Sequence, residues 1–109
     1  HLSLAANNAR LYQEIKSLHL SNLKGLSTAL NAKDYYTLGH AARVAAYTIL
    51  LGEELGWEPE WTDQVREVAY LHDIGKIGVS DRILVKQGPL NAEEWELMWQ
   101  HPVVSAEII

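Results

Sequence analysis

Tyr70-Leu71-His72-Asp73-Ile74-Gly75-Lys76-Ile77-Gly78 is the stretch on which the reading of this chain turns. An imidazole and a carboxylate on adjacent residues can reach one metal ion where the backbone turns, the nitrogen binding terminally and the carboxylate able to bridge to a second ion. Gly75 and Gly78 let a helix end directly after the pair, and Lys76 sets a cation one turn away, where an anionic substrate can sit. A lone His-Asp pair carries little weight, because a histidine on an apolar helix face is commonly a hydrogen-bonded core residue. Two further histidines add to it. His40 continues the helical stripe of Val44, Tyr47 and Leu51, and His72 that of Val65, Val68 and Ala69. His101 continues that of Leu97 and Met98, at the end of a helix just before Pro102. The stripes predict that three helices each turn a histidine inward, and a shared metal would satisfy imidazoles that otherwise need separate hydrogen-bond partners.

Composition narrows the chemistry. The 109 residues, 48% hydrophobic, suffice for one modest core but not for two domains. There is no cysteine, so disulfides and thiolate sites are excluded and any metal must be held by histidine and carboxylate, which suits Mn, Fe, Ni or Zn. A formal net charge of -5 argues against an extended nucleic-acid face and leaves room for a small anionic ligand held through metal. No apolar run is long enough to span a membrane and no basic start precedes an apolar run, so neither a transmembrane helix nor a signal peptide is expected and the expected compartment is the cytoplasm.

Nothing alternates with the strand period over a useful length, and the predicted fold class is all-α. Leu4, Leu11 and Leu18 recur at seven residues with Asn8, Ile15 and Asn22 between them, which predicts a long helix from about Leu4 to Asn31. Such a pattern fits a short coiled coil that pairs two copies of the chain, or an amphipathic helix packed on its own domain. After Asn22 the apolar positions shift to Leu23, Leu26 and Leu30, as for a helix leaving a two-helix seam to join a core. Asp34 and Thr37 offer caps for a second helix closed by Gly56, and Pro59 opens a third that reaches the His-Asp pair. The stretch from Ile77 to Leu90 reads as loop, with a short turn at 80–84 and a breaker at Gln87-Gly88-Pro89. Asn91 with Glu94 makes a capping box for a fourth helix carrying Trp95 and Trp99, and Pro102 starts a fifth whose pattern is still running at Ile109, as in a truncated domain.

Four segments together resemble the HD-GYP domain, an all-helical branch of the HD phosphohydrolase superfamily. They are Lys33-Asp34-Tyr35-Tyr36-Thr37-Leu38-Gly39-His40 with Arg43-Val44, then Leu71 through Asp81, then Ile83-Leu84-Val85-Lys86-Gln87-Gly88-Pro89-Leu90, and finally Met98 with His101-Pro102. Residues 31–109 are similar to the N-terminal part of that helical bundle, and residues 1–30 to the helix that links an upstream sensory domain, often of GAF type, to it. The resemblance implies a metal-dependent phosphodiesterase that hydrolyses cyclic di-GMP in bacterial second-messenger signalling. It implies His40, His72, Asp73 and His101 as ligands of two divalent ions (Fe, Mn, Ni or Zn), with Asp73 bridging and Lys76 holding a substrate phosphate. Two such ions can acidify a bridging water, hold the phosphate oxygens and neutralise charge as the diester opens.

The chain departs from the family in places. Tyr36 stands where some members carry a carboxylate for a third metal, which favours a two-metal site. Ser105 replaces a commonly small glycine and Gln87 a proline. The family's later histidines, last aspartate and glycine-tyrosine-proline loop have no counterpart up to Ile109, so the fragment alone is expected to be inactive. Two rival readings are a general HD nucleotide phosphohydrolase and a non-catalytic helical signalling or dimerisation module.

Overall fold

The computed structural model describes residues 3–33 and 39–109, and among them every regular element is helical. Helix α1 (Leu4–Asn31) opens on Ser3, whose hydroxyl accepts the Ala6 N–H at 3.1 Å. At about 42 Å it is the longest element of a molecule measuring 62 × 30 × 23 Å. Helices α2 (His40–Glu54) and α3 (Pro59–Leu71) form an antiparallel hairpin. Gly56, at φ 70°, takes the left-handed conformation that ends α2, and Pro59 supplies a fixed φ at the first turn of α3, both as the sequence predicts. Helix α2 begins at His40 behind Gly39, itself left-handed, while Asp34, Thr37 and Tyr36 lie outside the described residues.

The buried face of α2 is Ala41, Ala45 and Gly52, not the predicted stripe of Val44, Tyr47 and Leu51. Tyr47 and Leu51 are 63% and 60% exposed, and Val68 on α3 is exposed as well. The reason is the close approach of the two helices. A methyl group added at Gly52 would lie 2.7 Å from the Trp57 ring in the connecting loop and 3.4 Å from Thr62 Oγ1 on α3, so small residues line the contact and large ones are pushed to its flanks.

From α3 the chain turns through His72 and Asp73 into a 3-10 turn, Ile74–Gly78, and then a short helix α4 (Asp81–Leu84) that buries Ile83. Gly88, at φ 99°, breaks the loop as predicted. The Asn91 side chain accepts the Glu94 N–H at 2.8 Å while a Glu94 carboxylate oxygen accepts the Asn91 N–H at 3.1 Å, the reciprocal cap that launches α5 (Ala92–Met98). Helix α6 (His101–Ile108) follows at once and packs on the 3-10 turn. His101 therefore opens a helix instead of closing one, which corrects the sequence expectation. Along its second half α1 lies against α3 and the 3-10 turn, where Leu23, Ser27 and Asn31 are buried.

Candidate metal centre

The hairpin, the turn and α6 converge on Asp73. His40 at the start of α2, His72 just past the end of α3, and Asp73 each offer a ligand atom within 4.8 Å of the others. The His40 and His72 rings stand edge to face with centroids 5.3 Å apart. The two oxygens of Asp73 look different ways: Oδ1 faces His101 Nε2 at 3.3 Å, and Oδ2 faces His72 Nε2 at 3.5 Å. All four residues whose ligand role the family resemblance implies are thus in one place.

Two of the imidazoles are oriented by the same device. His72 Nδ1 donates to the Ala69 carbonyl at 2.7 Å, and His101 Nδ1 donates to the Met98 carbonyl at 2.6 Å. Each acceptor belongs to the last turn of a helix, where carbonyls lack intrahelical partners. At Met98 the vacancy is written in the sequence, because the residue four positions on is Pro102, which has no N–H to give. With Nδ1 committed as donor, a neutral ring presents a lone pair at Nε2, toward Asp73. This is the arrangement that orients metal-ligating histidines, and the donor set of imidazole nitrogens with one carboxylate fits a borderline divalent ion. Ligands bound at about 2.1 Å to one ion sit roughly 3.0–3.4 Å from each other, close to the separations around Asp73.

Lys76, the residue expected to hold a substrate phosphate, lies against the same aspartate. Its ammonium is not held out toward solvent but donates to Asp73 Oδ2 at 2.8 Å, and its side chain is only 15% exposed. Burial pushes the Asp73 carboxyl up; the Lys76 hydrogen bond and charge, with the fields of His72 and His101, outweigh it and leave Asp73 below the usual carboxylate value. The aspartate is thereby kept ionised, as a metal ligand must be.

Ser105, a departure from the family in sequence, has a structural part that the sequence does not announce. Its side chain is buried on α6, and its Oγ accepts the Gly75 N–H at 2.8 Å. A methyl group at Gly75 would lie 1.9 Å from the His101 carbonyl oxygen, so the glycine after the dyad serves close approach of α6 and not a left-handed turn. That contact brings His101 to Asp73. No local pattern announces it, since Gly75 and Ser105 are thirty apart in the chain.

The HD-domain family model matches residues 37–109. The chain belongs to the HD-domain family. HD domains are metal-dependent phosphohydrolases, and this chain has a possible His/Asp metal site at His40, His72 and Asp73. Among curated relatives, 3'3'-cGAMP-specific phosphodiesterase 3 of Vibrio cholerae is 41% identical over 80 residues, 73% of this chain and 17% of the relative. The 3'3'-cGAMP-specific phosphodiesterase 2 of the same organism is 30% identical over 109 residues, covering 100% of this chain and 21% of its own length. A cyclic di-GMP phosphodiesterase of Thermotoga maritima is 35% identical over 98 residues, 90% and 27% respectively. These relatives support the HD-GYP branch. The chain spans only about a sixth to a little over a quarter of their length. No described helix is long and apolar enough to cross a membrane.

Proposed function

We propose that the protein containing this chain is a metal-dependent phosphodiesterase acting on a cyclic dinucleotide, with cyclic di-GMP as the first candidate. The observation that carries it is the convergence of His40, His72, Asp73 and His101, with Nε2 of His72 and His101 turned to opposite oxygens of one aspartate. In this reading the four would hold two divalent ions, of Fe, Mn, Ni or Zn, with Asp73 shared between them. Bound there, the ions would supply Lewis acidity toward phosphate oxygens and water. The chain's own part is to hold the ligands. Ala69 and Met98 carbonyls fix two rings, Gly75 and Ser105 fix α6 against the turn, and Lys76 balances the charge of Asp73. When an anionic substrate enters, Lys76 is the cation nearest the cluster and would exchange part of its contact with Asp73 for a substrate phosphate.

Residues 31–109 would form the N-terminal part of the catalytic domain. Residues 1–30 would form a helix linking it to an upstream sensory domain and pairing with a second copy, in the cytoplasm. The names of the relatives support cyclic dinucleotides over a general nucleotide substrate. The test is anaerobic hydrolysis of cyclic di-GMP and of 3'3'-cGAMP by the whole protein supplied with Mn or Fe. Turnover of either that vanishes in His72→Ala and Asp73→Ala is expected; a metal-loaded protein that cleaves neither would contradict the proposal.

A further inference from the structure

The outer face of α1 carries an interaction surface whose geometry deepens the pairing proposed above and rests on it. Leu4, Leu11, Ile15 and Leu18 are 77%, 41%, 65% and 63% exposed. The opposite face is already taken by α3: Gln13, Lys16, Ser17 and Leu20 look toward Asp63, Arg66 and Glu67, with Lys16 Nζ 3.1 Å from Asp63 and His19 Nε2 3.4 Å from Glu67. At 100° per residue the stripe Leu4, Asn8, Leu11, Ile15, Leu18 and Asn22 is centred about 170° away from those four residues. The heptad stripe and the intramolecular face therefore do not compete, and both can be filled at once.

We propose that this stripe binds a second copy of the chain in parallel and in register. The polar layers decide the orientation. In a parallel pair Asn8 meets Asn8 and Asn22 meets Asn22 of the other copy, so each amide has an amide to hydrogen-bond, while leucines meet leucines and Ile15 meets Ile15. Run antiparallel over the same residues, Asn8 faces Leu18 and Asn22 faces Leu4, and four buried amides are left opposite hydrocarbon. Asparagine alternating with isoleucine on one side of the seam, and leucine on the other, is also the pattern that favours two strands over three. Because α3 lies behind the seam, the two Asp73 clusters sit on the outer flanks of the pair, each built from one chain.

The chain has no cysteine, so a single introduced one reports the geometry directly. Leu4→Cys is mild, the side chain being largely exposed. In the parallel arrangement residue 4 meets its own copy within the roughly 7 Å that a disulfide tolerates. In the antiparallel one the two copies of residue 4 are about 27 Å apart. Sedimentation of the unmodified chain and mild oxidation of Leu4→Cys, Leu18→Cys and the exposed off-seam Ser17→Cys, all in chelator, make the test. A dimer by mass, with cross-linking at residues 4 and 18 at least tenfold faster than at 17, is expected. A monomer would overturn the pairing itself. A dimer that cross-links Leu4→Cys to Asn22→Cys but not Leu4→Cys to itself would overturn the orientation and leave the pairing standing.

Discussion

Gly75 is the residue on which the site's assembly depends most. Its hydrogen occupies the space where any side chain would strike the backbone of α6, and Ser105 then caps its N–H from the same helix. Gly75→Ala is expected to push α6 away and cost about 2–3 kcal/mol, seen as a fall in the urea midpoint. Ser105→Ala removes only the acceptor. It leaves a buried N–H unpaired, so a loss of about 1–3 kcal/mol is expected, together with roughly tenfold weaker metal binding as His101 loosens. If Ser105→Ala matched the parent in both measurements, the hydroxyl would have no positioning role. The dyad, His101 and the His-Pro step could be recognised from residue types, because ligand chemistry and a missing N–H are local properties. The Gly75–Ser105 contact could not, because it exists only once α6 has folded back.

At the scale of elements, caps and breaks were readable and packing faces were not. Gly56, Pro59, Gly88 and the Asn91–Glu94 box each act within a few residues, so sequence alone locates the ends of α2, α3 and α5. The buried stripe of α2 was misread because hydrophobicity points to Tyr47 and Leu51, whereas the contact with α3 selects Ala41, Ala45 and Gly52 for their small size. Asn91→Ala should cost about 1 kcal/mol in thermal or chemical unfolding. Glu94 gives a pH signature. The hydrogen bond from Lys86, with that from the Asn91 N–H, holds its carboxyl below the ordinary glutamate value. A depressed folded pKa means the contribution is complete above the unfolded value of about 4.3 and is lost as pH falls through the folded one. The stability difference between the parent and Glu94→Gln should therefore shrink steadily in unfolding curves taken below about pH 4.3. A difference that stayed constant down to pH 2.5 would show that the box is not held by charge.

For the whole molecule, one helix runs from the exposed heptad stripe to the turn beside the cluster. Leu26, Ala29 and Leu30 of α1 line a cavity of about 240 Å³ with Ile74, Lys76 and Ile77. Near its middle α1 meets α3 through the partly exposed pairs Lys16–Asp63 and His19–Glu67, and contacts of this kind are worth about 0–1 kcal/mol each, so the apolar stripe before them has little holding it except what lies on its outer side. The all-helical architecture and the length of α1 were legible from periodicity, and the elongated shape follows from them.

The account stands or falls on His40, His72, Asp73 and His101 acting together on metal. The direct test is anaerobic calorimetric titration of the protein with Mn2+ or Fe2+, in parallel with His72→Ala, Asp73→Ala and His101→Ala variants whose circular dichroism matches the parent. Binding in the parent that weakens at least tenfold in each variant is predicted. A parent that binds neither ion, or variants that bind as well as the parent, would contradict it.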